Sequence, residues 1–208
     1  MANDQGRNYG ASPITQPDCP PKLLYYRVET ASTIQYFRGQ FAVINSNGRI
    51  ETVVAGNSSG TVSCGVIWDF LDLNLAGPPS GMMSLTQGGF LPASTDAYAG
   101  VIYDPLQLYI MEESTAGTAI SIDSLGLGVS WTYAATTGNT NTGFANSVIS
   151  TSAAGVTTQN LLQLMNVYNI INQDGTINAP GDSCKWVVRI MRHQFGNACI
   201  SIPQALTV

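Results

Sequence analysis

The sequence predicts an all-β protein, a small β-barrel or sandwich with long loops and an extended N-terminal arm. Three observations predict it. Short runs rich in β-branched and aromatic residues recur along the chain, separated by Gly, Pro, Asn and Asp turn signals, which is the rhythm of a sandwich or barrel. Asn47-Gly48 stands between two apolar runs within residues 39–54, the strongest short-range hairpin signal a sequence offers. Trp186, Val188 and Ile190 alternate with Lys185, Val187 and Arg189, the period of two that turns one face of a strand to a core.

Residues 1–21 carry Asn, Gly and Pro at close intervals, with no periodicity and almost nothing large and apolar. Such a segment buries too little surface to offset its ordering entropy. The expectation is an arm, residues 1–35, that orders on a neighbouring subunit, followed by a β-rich domain over residues 36–208. Residues 23–28 form the first strand, with Tyr36-Phe37 close behind; residues 39–54 read as strand, turn, strand; residues 56–60 are a loop and 61–68 another strand.

Residues 69–90 are the least regular stretch. Large apolar residues flank a loop at 77–81, so the stretch is either a hairpin tip bearing a patch for a partner or a loop folded over its own core. Residues 100–102 and 106–111 then read as strands split by Tyr103-Asp104-Pro105. The second has an aliphatic face (Leu106, Leu108, Ile110) and a mixed face (Gln107, Tyr109, Met111), and Pro105 belongs at a strand start, edge or bulge. Glu112-Glu113 ends the apolar pattern in water.

Residues 134–159 are rich in Ala, Thr, Ser, Asn and Gly. They predict a long loop, with a weak strand at 147–150, ordered by a partner. Residues 160–168 fit helix or strand, and strand is preferred because Val, Tyr and Ile follow at once. Asp174-Gly175 and residues 179–182 are turns, 184–191 a strand, and 198–202 a last strand.

Charged residues make up 10% of the 208, with net charge −5 and only 8 Lys and Arg. A nucleic-acid binder that tracks phosphates needs a basic stripe, and none exists. No run approaches the roughly 18 apolar residues of a membrane span, so neither nucleic acid nor membrane is expected as a direct partner. A surface of amides, hydroxyls and backbone suits burial against other subunits, because few charges must be desolvated. The polar start Met1-Ala2-Asn3-Asp4 lacks the apolar core of an export signal, so export by that route is not expected. Cys19, Cys64, Cys184 and Cys199 lack CxxC spacing. They read as buried free thiols rather than a zinc site, although a Cys184–Cys199 bridge between neighbouring strands is geometrically possible.

Chemistry is hard to find. His193 is the only histidine and reads as structural, hydrogen-bonded to a loop carbonyl. Asp69 with Asp72, or Glu112 with Glu113, pair by chance rather than at a catalytic spacing, and the latter two point to opposite faces if extended. Asp104 before Pro105 is a turn former. There is no nucleophile elbow, P-loop or dinucleotide fingerprint. No catalytic residue, cofactor or metal is assigned, and the chain is not read as an enzyme.

Four tokens carry a resemblance. They are Val101-Ile102-Tyr103-Asp104-Pro105, Asp123-Ser124-Leu125-Gly126, Gly138-Asn139-Thr140-Asn141-Thr142-Gly143, and Lys185-Trp186-Val187-Val188-Arg189-Ile190 with His193-Gln194. Together they resemble the decoration (cement) or minor head proteins of tailed bacteriophages. Ile102 splits Val101 from Tyr103, and Asp123 and Gly126 stand one residue further apart than in that pattern. The resemblance implies a viral structural protein on the outer surface of the capsid, clustered as a homotrimer, that stabilises contacts between major capsid protein subunits. Two other readings stay open: a head–tail connector or tail structural protein, and a carbohydrate-binding adhesion module using the Tyr and Trp side chains. The expected partner contacts are Tyr9, Pro13, Leu23 and Tyr25 on the arm, Leu73, Leu75, Met82, Met83 and Phe90 in the 69–91 excursion, and Phe144 in the 134–159 loop.

Overall fold

The computed structural model describes residues 10–15, 20–28, 34–53, 62–72, 89–115, 117–151, 160–172 and 174–195. Twelve strands run through them: β1 Ser12–Pro13, β2 Leu23–Arg27, β3 Phe41–Ile44, β4 Ile50–Thr52, β5 Gly65–Asp72, β6 Ala97–Ile102, β7 Leu108–Glu112, β8 Gly128–Val129, β9 Trp131–Asn139, β10 Phe144–Ile149, β11 Leu162–Val167 and β12 Lys185–Ile190. The only helical turn among the described residues is a single 3-10 turn, Ile122–Ser124. One five-stranded sheet has the order β1-β7-β12-β11-β8, a second has β2-β6-β5-β3-β4, and β9 and β10 form a two-stranded ribbon. All pairings between named strands are antiparallel.

The strand period of two explains the packing. In the second sheet Phe41, Val66 and Ile102 point to one face and join Tyr109, Met111, Leu162, Trp186 and Val188 of the first sheet in one core. Their sequence neighbours Ala42, Ile67 and Val101 point the other way into a second core with Ile50, Phe70 and Tyr36. The second sheet is therefore apolar on both faces, and it curls: Val28, just past β2, bridges Ile50 at the start of β4. The two edges meet at that point without closing. Of the two predicted architectures the sandwich is the one formed, since none of the three sheets closes into a barrel.

The Asn47-Gly48 hairpin forms as read, with β3 and β4 paired Ile44 to Ile50 and Gly48 at φ +73. The strand preference at 160–168 is met by β11, and Trp186, Val188 and Ile190 are buried as predicted. Several expectations need correction. The strand expected at 147–150 is the end of β10, and residues 134–139 and 144–146 are not loop but belong with it to the β9–β10 ribbon, closed by Gly143 N donating to Asn139 O at 2.8 Å. Small residues hid the alternation there. Strand β5 runs on through Asp72 rather than ending at Trp68, because a bulge between Ile67 and Asp69 resets its alternation against β6. In β7 it is Tyr109 and Met111, the mixed face, that are buried, and Leu106 lies in the preceding turn, where Asp104 Oδ1 accepts from its N–H.

Within the stretch read as an arm, Ser12–Pro13 pairs with β7 and Leu23–Arg27 with β6. Those segments are edge strands of the chain's own sheets. Residues 1–9, 16–19 and 29–33 lie outside the described residues, as do 73–88, 152–159 and the predicted strand at 198–202.

Candidate partner-contact surface

Three of the expected contact residues converge although they are far apart in sequence. Tyr25 on β2, Gly100 on β6 and Asp69 on β5 stand side by side in register. Gly100 carries no side chain, and a Cβ there would lie 2.8 Å from Tyr25 Cε1 and 3.1 Å from Asp69 Cβ. The tyrosine ring therefore lies across the glycine, and its hydroxyl donates to Asp69 Oδ2 at 2.9 Å. Burial, then the hydrogen bond and charge of Asp69, push the Tyr25 phenol up to about 12, so it remains a donor at any physiological pH.

On the other side of Asp69, Arg38 Nη2 stands 3.8 Å from Oδ1. Arg38 is held by the β10 end of the ribbon: its N–H donates to Gly143 O and its carbonyl accepts from Ala145 N. Two aromatic pairs flank this ion pair. Phe90 stacks on Phe37 at 5.5 Å between centroids, and Phe144 tilts against Trp68 at 6.0 Å. The Phe37 ring needs Gly138 of β9 beneath it, since a Cβ there would lie 2.3 Å from its Cγ. The result is a half-buried aromatic surface with a Tyr–Asp–Arg row through it.

Of the remaining expected contacts, Pro13 is half-buried opposite Tyr109, and Leu23 packs on the main core. Tyr9, Leu73, Leu75, Met82 and Met83 lie outside the described residues. The sequence reading missed Arg38 and Asp69. Its available signal was a lone acid inside the apolar run Val66-Ile67-Trp68-Asp69-Phe70 and a lone base after Tyr36-Phe37 in a chain with few charges. It also missed exposed aliphatics. Ile171 and Ile177 face each other in an antiparallel bridge at 70% and 66% exposure, and Leu106 is 66% exposed. The isoleucine turn is rigidly based: Asn178 Nδ2 donates to Tyr168 O and Lys185 O, and its Oδ1 accepts from Lys185 N.

Asp69, Glu112, Glu113 and His193, weighed for acid–base chemistry, are each held by other groups of the fold. Glu112-Glu113 does not end in water. Glu113 is buried, its Oε2 accepting from Trp186 Nε1 at 2.8 Å and its Oε1 from Ile120 N at 2.7 Å. Glu112 is half-buried opposite Lys185, and burial pushes its carboxyl up to about 7. Asp69 belongs to the row above. His193 is buried, and its Nδ1 accepts from Phe195 N rather than donating to a carbonyl; burial lowers it to about 4. Cys64 and Cys184 are buried free thiols, while Cys19 and Cys199 lie outside the described residues. Among the described residues no trio of His, Cys, Asp or Glu is placed to hold a metal ion.

No family model, no curated protein and no solved structure matches this chain.

Proposed function

We propose that this chain is a viral structural protein, a decoration protein on the outside of a tailed-phage head that binds major capsid protein and ties its subunits together. The observation that carries the reading is a chain with only 10% charged residues that presents exposed aliphatic side chains and a half-buried aromatic surface. Ile171 and Ile177 sit on a pinned turn, and Tyr25, Phe90 and Phe144 surround the Arg38–Asp69 pair. Apolar side chains fixed in place lose little entropy when covered, so they suit a permanent partner. The resemblance of the 100–195 tokens to phage head proteins supports the same reading, and so does the all-β architecture. The mechanism is mechanical. Packaged DNA presses the shell outward, and clamps repeated by symmetry across the seams add their small free energies through multivalency.

The test is co-sedimentation of the purified chain with empty shells of its own virus. Saturable binding in stoichiometric amounts is expected, and a chain left entirely in the supernatant would overturn the reading. Rings of sixfold or twelvefold symmetry in the purified protein, instead of homotrimers, would move it to the head–tail joint.

A further inference from the structure

Each five-stranded sheet has two edge strands, and three of these four are short: β1 and β8 have two residues each and β4 has three. The fourth, β2, has five residues, Leu23-Leu24-Tyr25-Tyr26-Arg27. Its inner side is paired with β6 along its whole length. Val28 N donates to Ala97 O at 2.9 Å, one residue past Arg27–Tyr98 in the same register. The residues whose backbone groups face β6 are therefore 24, 26 and 28, and those of Leu23 and Tyr25 face outward. Among the described residues the outer side is met only at its far end, by the Val28–Ile50 bridge. Open strand edges are normally blunted by a charge, a bulge or brevity. Here the only charge, Arg27, is turned to Asp96, with Nε donating to Oδ1 at 2.8 Å. Leu24 and Tyr25 are each 41% exposed.

We propose that β2 pairs antiparallel with β2 of a second copy, about a twofold axis at Leu24, joining two five-stranded sheets into one of ten strands. The occupant follows from the register. With the axis at Leu24, the outward-facing Leu23 and Tyr25 of one copy oppose Tyr25 and Leu23 of the other, so every free N–H and C=O of that pair finds its complement. Leu24 meets Leu24, and each covers the other's exposed side chain. The charges never meet: Lys22 falls opposite Tyr26, and Arg27 falls opposite Pro21, which has no N–H and ends the ladder. The contact is small and so weak alone, the kind that becomes strong in a repeating lattice. It does not depend on the capsid reading, since the edge is open whatever the chain decorates.

The test uses the full chain in sedimentation velocity over a concentration series, with Leu24→Lys and Leu24→Glu as variants. Leu24 is exposed, so both fold, which circular dichroism checks. Like charges directly opposite one another on the axis are expected to weaken the Leu24-dependent association step by about tenfold or more in each variant alone. An equimolar mixture of the two is expected to recover it, because Lys then faces Glu. Wild-type protein with no concentration-dependent step, or variants that associate as wild type does, would overturn the proposal. So would a mixture no better than its components, which would mean that the edge takes some other strand. Shell binding by the same variants is read separately, so loss of self-pairing and loss of capsid binding are distinguishable.

Discussion

Trp186 and Glu113 lock the first sheet to the 113–120 loop, and breaking that lock has a calculable cost. Trp186 is fully buried and donates from Nε1 to the buried Glu113 carboxyl at 2.8 Å, while the other oxygen of Glu113 accepts from Ile120 N at 2.7 Å. Trp186→Phe removes the donor and leaves Oε2 buried without a partner, a loss of about 1–3 kcal/mol. The smaller ring adds a cavity term of about 1–2 kcal/mol. Glu113→Gln preserves shape and the Ile120 bond but turns an amide N–H toward the indole N–H, costing about 1–3 kcal/mol. In the double variant that donor–donor clash vanishes, because phenylalanine has no N–H. The double should therefore be less destabilised than the sum of the singles by about 1–2 kcal/mol. Urea unfolding at fixed pH, followed by circular dichroism, measures all four proteins. Strict additivity would refute the reasoning, and so would a Trp186→Phe loss below the cavity term alone.

The buried His193 and the half-buried Glu112 give opposite pH slopes. His193 is lowered from 6.5 to about 4 by burial, so its contribution is whole above pH 6.5 and is lost as pH falls toward 4. Glu112 is raised from 4.5 to about 7, so its contribution is whole below pH 4.5 and is lost as pH rises toward 7. In the wild type these slopes oppose each other. In Glu112→Gln stability should climb with pH between about 4 and 6.5, and in His193→Gln it should fall between about 4.5 and 7; melting temperatures across a pH series decide. Gly65→Ala should prevent soluble expression, because Gly65 holds φ +139 and a Cβ there would lie 1.9 Å from Ile102 O. Burial pushes the Cys64 and Cys184 thiols up to about 12, so both should resist an aromatic disulfide reagent in native protein and react once urea unfolds it.

The parts of the fold that could be read from sequence are those where one residue pair settles a local question. Asn47-Gly48 fixes a turn whose φ only such residues adopt readily, and Trp186, Val188 and Ile190 carry enough apolar surface to declare a face. The β9–β10 ribbon was hidden because Ala145, Ser147 and Gly138 bury backbone and small side chains, which leave no hydrophobic alternation. Strand β5 was misplaced because its bulge breaks the period of two. On the candidate surface the aromatic members Tyr25, Phe90 and Phe144 could be picked out by residue type. Arg38 and Asp69 were not, because what joins them is the register of β2, β6 and β5 and the bridge from Arg38 to Phe144, and register is a property of the folded sheet.

On the proposed function, neighbours on a capsid grip this chain by its weakly charged exterior. An electron cryomicroscopy reconstruction of empty shells incubated with the purified protein tests it most directly. Density for the twelve strands on the outer surface, across seams between major capsid subunits and with the Tyr25–Phe144 face or the Ile171–Ile177 turn against the shell, is the predicted result. Bare seams, or density confined to the tail vertex, would contradict it.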